Sequence, residues 1–236
     1  MINTAFFSAL RKRESGVFGT SLSQGQVDGC EALLAACAGY PLAHTAHVLA
    51  EVHHETGGGM LPVKETVFPY SKNRNPSDAT VKARLDRAWG KGQLPWVSKP
   101  YWRNGWFGRG QIQLTHEANY RKMTPVVGVD LVRQPSKALD LPISAKIAAV
   151  GCSKGMFTGK RLSDFNGPPY DHHRARAIVN GDTRTVGPKI AAAAAEFEDA
   201  LRAAKWDHGV PIGTSSGAGL WAAIINIIRS IFGGKK

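Results

Sequence analysis

Glu51–Met60 reads EVHHETGGGM, a glutamate-bearing segment followed at once by three glycines. Pro41 suits a first helical position, because its missing N–H is unsatisfied there in any residue. Leu42, Ala46, Leu49 and Val52 then repeat at helical spacing. Gly57, Gly58 and Gly59 stop the helix, since glycine accepts the left-handed cap conformation. Glu55 therefore falls in the last helical turn, at the negative end of the macrodipole, where a carboxylate is disfavoured. Partial burial acts in the same direction. A carboxyl that keeps its proton is what a general acid needs. The competing reading is a surface glutamate at a frayed helix end, and this stretch alone leaves both open.

Outward toward the N-terminus, residues 2–15 read as a short amphipathic helix. A second helix starts at Ser21 or Ser23 and shows an apolar face of Val27, Cys30, Leu33, Leu34 and Cys37. Gly39 ends it, and the two helices support the one that carries Glu55. Cys30 and Cys37 are seven residues apart on one helix, so their Cα atoms lie about 10 Å apart, too far for a disulfide. Three cysteines, an odd number, point to free buried thiols and a reducing compartment. The opening MINTAFFSALRKRES places its charges after the apolar run, the wrong order for a secretory signal. The 236 residues carry a net charge of +12 and are 43% hydrophobic. That balance supports a real core and favours polyanionic partners. No zinc-finger spacing and no basic run interleaved with aromatics appears, so specific nucleic-acid reading is unsupported.

Outward toward the C-terminus, residues 60–105 change character. LPVKETVFPYSKNRNPSD is an irregular loop or weak strand, and Thr80–Trp89 a short helix. Trp89, Trp96, Tyr101, Trp102 and Trp106 divide between core anchors and platforms for sugar faces. WFGRGQIQLTHEANY, from Trp106 to Tyr120, alternates Gln111, Gln113 and Thr115 with Ile112 and Leu114. Period two predicts a short extended segment with one polar face, suited to sugar hydroxyls and N-acetyl groups; a hydrophilic edge strand is the alternative. Residues 121–140 read as helix and loop, Ile143–Phe157 as a core helix, Thr158–Asp171 as a loop, His172–Val179 as helical, and 188–205 as an Ala-rich helix opened by Pro188. Residues 207–219 are a linker by composition. Residues 220–236, GLWAAIINIIRSIFGGKK from Gly219 on, are too short to span a bilayer and read as an interfacial amphipathic helix with a basic end. The alternative is a helix that docks on the main domain or self-associates.

HETGG, WFGRGQIQLTHEANY, FTGKRLSDF and AIVNGD, in that order, resemble glycoside hydrolase family 19, and more closely its endolysins from bacteriophages of Gram-negative hosts. The likeness runs from about residue 3 to 206, nearly all of the chain outside the tail. It implies a mainly α, two-lobed, lysozyme-like domain with a substrate cleft. By that resemblance Glu55 is the general acid and Glu65 the second carboxylate that activates water, with Asp78 or Asp86 as substitutes. Thr115 holds the attacking water, Gln113, Asn119, Lys160 and Asn180 line the cleft, and Arg109 supports a carboxylate. The implied reaction is inverting hydrolysis of the β-1,4 bond between MurNAc and GlcNAc in peptidoglycan, with no cofactor and no metal. The expected protein is a monomer made in the cytoplasm of an infected bacterium without a signal peptide, acting on the periplasmic wall after release. The tail would engage anionic membrane or lipopolysaccharide. Rivals are a chitinase on GlcNAc polymers, a lytic transglycosylase, a zinc hydrolase built on His44, His47, His53 and His54, and a non-enzymatic membrane-disrupting wall binder.

Overall fold

A computed structural model describes residues 2–67 and 73–206. The linker and C-terminal helix expected over 207–236 lie outside the described residues. Within them the protein is mainly α-helical. In order the elements are α1 (Ile2–Leu10), α2 (Gln24–Ala36), α3 (Leu42–Glu55), β1 (Val63–Lys64), α4 (Asp78–Gly90), β2 (Arg109–Gly110), α5 (Glu117–Val127), α6 (Leu141–Lys154), α7 (His172–Ala175) and α8 (Thr183–Ala203). Short 3-10 turns at Tyr101–Asn104, Pro135–Leu139, Leu162–Phe165 and Arg176–Ile178 join them.

The helix predicted around Glu55 is the centre of the body. Ala46, Val48, Leu49, Ala50 and Val52 are all 0% exposed, so apolar residues cover α3 on more than the single stripe read from the sequence. A helix apolar over most of its circumference is an interior helix. α8 packs along it, α1 and α7 pack on α8, and α2 packs on α6. Ser23 is the N-cap of α2, with a reciprocal bond to Gln26 that completes a capping box. α2 can approach the chain beyond α3 because position 29 is glycine: a Cβ there would meet the Met60 carbonyl oxygen at 2.3 Å.

Two smaller cores stand apart from this body. Leu114, Tyr120, Met123, Leu131, Ala138 and Ile147 form one beneath α5, and Val81, Leu85, Trp102 and Phe107 form the other beneath α4. The α4 core is the heart of a second lobe, and β1 and β2 link that lobe to the end of α3. The pair is antiparallel, with Val63 opposite Gly110 and Lys64 opposite Arg109.

Several boundaries differ from the sequence reading. α1 ends at Leu10 rather than Ser15. Pro41 is the N-cap of α3 and Leu42 its first helical residue. α8 begins at Thr183, five residues before Pro188, which sits inside the helix and forgoes one backbone hydrogen bond there. Gln111–Leu114 is not an extended strand. It is a tight turn in which Arg109 and Leu114 exchange backbone hydrogen bonds of 3.2 and 2.9 Å. Gln111 is fully buried within it, so Gln111, Gln113 and Thr115 share no open polar face. Trp102 is core and Trp96 is 76% exposed, which divides the aromatics as the sequence allowed.

Candidate active site

Glu55 is the last residue of α3. The turn after it is built by Thr56, Gly57 and Gly58. Thr56 Oγ1 donates to the Val52 carbonyl at 2.7 Å and accepts from the Met60 N–H at 2.9 Å. Gly57 and Gly58 adopt φ of +62° and +81°, which favours glycine at both. The chain thus reverses and delivers β1, with Glu65 just beyond it.

The Glu55 side chain is 18% exposed, and its Oε1 accepts a 2.7 Å bond from Arg176 Nη1. The helix end and burial are therefore not the only influences on this carboxyl, as the sequence reading supposed: a full positive charge lies against it. The same Nη1 also bonds Glu51 Oε2, and Arg176 Nε donates to Asp182 Oδ1 at 2.7 Å. Arg176 is held in place because the chain turns tightly beyond it. The Asn180 N–H returns to the Arg176 carbonyl at 3.0 Å, Asn180 Oδ1 accepts from the Gly181 N–H at 2.7 Å, and Asp182 comes back as N-cap of α8. The bond from Arg176 outweighs burial and holds the Asp182 carboxyl below its ordinary range. Burial pushes Glu51, 0% exposed, up to about 8, helped by Glu55 and Asp182 and opposed by Arg176.

Glu65 is held differently. Its N–H donates to the Gly108 carbonyl at 2.7 Å, and its Oε2 accepts from the Gly108 N–H at 2.8 Å. Its Oε1 accepts the Tyr101 hydroxyl, and Tyr101 rests edge-on against His116 with ring centroids 4.5 Å apart. Burial, then the bond to Glu65, raises the Tyr101 hydroxyl well above its ordinary range, so it is a donor. Glycine at 108 leaves room for this packing: a Cβ there would lie 2.3 Å from Gln113 Oε1, forcing that amide to move, and 3.2 Å from Glu65 Cβ.

The substitutes for Glu65 have other work. Asp78 accepts from Lys64 Nζ at 2.7 Å and from Arg109 Nη2 at 2.8 Å. Burial acts to raise the Asp78 carboxyl, but these two cations outweigh it and hold it low. Asp86 accepts from Trp102 Nε1 and Arg103 Nε, both at 2.9 Å. Arg109 is the carboxylate partner anticipated: fully buried, bonded to Asp78, the Gly105 carbonyl and Tyr120 Oη, and stacked 3.6 Å over the Phe107 ring.

Gln113 donates Nε2 to the Val63 carbonyl at 3.1 Å, and its Oε1 is buried with no partner among the described residues. Gln111 donates Nε2 to the Met60 carbonyl at 2.6 Å. Both amides tie the GRG turn to the segment after α3. Thr115 is half-buried, and its carbonyl accepts Asn119 Nδ2 at 2.7 Å. Lys160 and Asn180 are exposed on the loops beyond α6 and α7. The structure thus brings Glu55, Glu65, Gln113 and Thr115 onto segments joined by β1 and β2, and it leaves Lys160 outside every hydrogen bond that ties them.

The sequence reading missed Arg176, Glu51 and Asp182, and it named Tyr101 only as a core anchor or sugar platform. Glu51 was detectable as a charge inside the apolar run Val48–Val52, one turn before Glu55. Arg176 was detectable as a lone cation in the otherwise apolar ARAIV. The histidines are engaged separately: His44 with Asn166, His53 with the Val17 carbonyl, His47 with His172. Among the described residues no group of three metal-binding side chains converges. A cleft of about 480 Å³ opens between α3, α8 and Ser15–Val17, lined by His53, His54, Lys189 and Glu196; neither Glu55 nor Glu65 lines it.

No protein-family model matches the chain, and no curated protein matches it. Among solved structures it is similar to chitinase C from Streptomyces griseus HUT6037, with 19% identity over 88% of this chain and 78% of that one, at a TM-score of 0.41. A mutant of chitinase C is similar at 18% identity over 88% and 94%, also at 0.41.

Proposed function

We propose that the chain is a peptidoglycan-degrading glycoside hydrolase, cutting the β-1,4 bond between MurNAc and GlcNAc with inversion. The observation that supports it is the pairing of β1 with β2, which carries Glu65 from the α3 turn to Gly108 and Tyr101 while Glu55 stays on the body. Glu55 protonates the glycosidic oxygen. Glu65 activates a water on the other face of the sugar, a geometry that calls for carboxyls about 6.5–9.5 Å apart. Thr115, on the turn beyond β2, steadies that water. Tyr101 and Gly108 supply neutral donors that keep the Glu65 carboxylate aimed without adding charge. The net charge of +12 favours an acidic wall polymer. Residues 220–236 carry the enzyme to anionic membrane or lipopolysaccharide, and removing them leaves hydrolysis of isolated peptidoglycan intact.

The test is product release from purified Gram-negative peptidoglycan, with chitin oligomers in parallel. Wild type yields muropeptides ending in reducing MurNAc, and Glu55→Gln loses about 100-fold or more of that rate. Undiminished release by Glu55→Gln rejects the reading. Anhydro-sugar ends reject the hydrolytic mechanism, and preference for chitin oligomers rejects the substrate.

A further inference from the structure

Behind Glu55, three carboxyl groups compete for one guanidinium. Glu51 lies one turn before Glu55 on α3, so both face Arg176. Arg176, 2% exposed, gives Nη1 to Glu51 Oε2 and Glu55 Oε1 alike, and Nε to Asp182. The other oxygen of Glu51, Oε1, faces His47 Nε2 at 3.5 Å. Neither atom has a hydrogen-bond partner among the described residues, and one proton between them satisfies both. The His47 ring stacks on His172, centroids 5.6 Å apart, and His172 Nε2 reaches Glu198 Oε1 at 3.0 Å. A line of titratable groups thus runs from α8 through the body to the catalytic candidate.

We propose that Glu51 is a positioning residue: by sharing Nη1 of Arg176 with Glu55, it sets how much of that cation Glu55 receives, and its own proton is the control. The inference rests on the reading of Glu55 as the acid. Neutral Glu51 accepts from Arg176 only as a carbonyl, leaving the charge to Glu55 and Asp182. Ionised Glu51 in this dry site is a full competitor for the cation and repels Glu55 directly. The groups facing Glu51 are His47 and Glu55 on its own helix, Arg176 and Asp182 after α7, Cys152 on α6 and Tyr170 before α7. Burial is the largest influence on Glu51, and Arg176 alone among its named neighbours pulls it down. The proton therefore stays on Glu51 at neutral pH and leaves as pH passes about 8.

The experiment compares kcat and KM of full-length wild type and Glu51→Gln on peptidoglycan from about pH 5 to about pH 9. Glu51→Gln leaves the charge of Arg176 on Glu55 at every pH, which favours carboxylate over acid, so the expected alkaline fall in kcat lies at lower pH in Glu51→Gln than in wild type by at least about one pH unit, with KM unchanged. Superimposable profiles overturn the proposal. A second measurement needs neither activity nor the variant: NMR titration of wild type labelled at its glutamate carboxyl carbons, with assigned resonances. The Glu55 signal is expected to show an inflection coincident with the Glu51 step, and a Glu55 signal blind to that step overturns the proposal. If Glu55→Gln still hydrolyses glycan, the acid assignment fails instead, and the carboxyl titration reports on the coupling regardless.

Discussion

Glu55 and Glu65 are the same residue type in opposite settings. Glu55 ends a helix buried in the main body and touches a guanidinium that Glu51 and Asp182 also use. Glu65 lies on a loop at the second lobe and is held by a hydroxyl and a backbone N–H, both neutral. One site is governed by the sharing of charge, the other by geometry. Carboxyl groups whose environments differ in this way are suited to different halves of an acid–base reaction. The contrast also assigns the two arginines. Arg176 serves the charge-sharing site, whereas Arg109 knits Asp78, Tyr120 and the Gly105 carbonyl together behind the geometric one.

The hardest blow to this contrast is Arg176→Met. It leaves Glu55 and Asp182 without their shared cation and takes from buried Glu51 the donor to its Oε2. Removing one partner of a buried ion pair costs on the order of 3–5 kcal/mol. Urea unfolding should show a loss of that size, together with loss of hydrolysis. A variant as stable as wild type would mean that the three carboxyls do not depend on the shared cation.

Much of this arrangement was legible in the sequence, for identifiable reasons. The Glu55 turn could be read because the apolar spacing and Gly57–Gly58 are local signals; Pro41 marks the helix start too, though as its N-cap rather than its first helical residue. Support of a carboxylate by Arg109 came only from the family resemblance, and the structure pairs it with Asp78. The turn at Gln111–Leu114 could not be read. Its alternation mimics a strand, yet the backbone closes on itself through Arg109 and Leu114, and the buried amides answer to Met60 and Val63, distant in sequence. Arg176 stood out as a lone cation in an apolar stretch, but which groups it serves was hidden for the same reason: its partners Glu51 and Glu55 lie on α3, more than a hundred residues earlier.

Acid and base should strain the body in opposite ways. Burial lowers His47 from 6.5 to about 3, so the folded state binds fewer protons there than the unfolded chain. Its contribution is present above about pH 6.5 and is lost as pH falls toward about 3, and the lowered His53, His54 and His172 add to that slope. Glu51 runs the other way. Raised from 4.5 to about 8, it holds a proton that the unfolded chain releases, so stability drains as pH rises through that window. Each limb should be worth on the order of a few kcal/mol. Thermal melts across pH should peak between the limbs, and Glu51→Gln should flatten the alkaline limb while sparing the acid one. A variant that keeps the alkaline loss would remove Glu51 as its source.

The smallest expected effect sharpens the geometric half of the contrast. Tyr101→Phe deletes one neutral donor to Glu65 and keeps the ring against His116 and Trp102. The carboxylate retains Gly108, so its position is loosened rather than lost. A hydrogen bond to a charged group is worth about 1.5–3 kcal/mol, which corresponds to roughly a 10- to 100-fold fall in kcat if the aim of Glu65 matters in the transition state. Under the role proposed for Glu65 the bond steadies a base rather than binding sugar, so KM should hold while kcat falls. Because it involves no second charge, the alkaline limb set by Glu51 should stay where it is. A shift of that limb in Tyr101→Phe would show that the two carboxyls share one electrostatic environment after all.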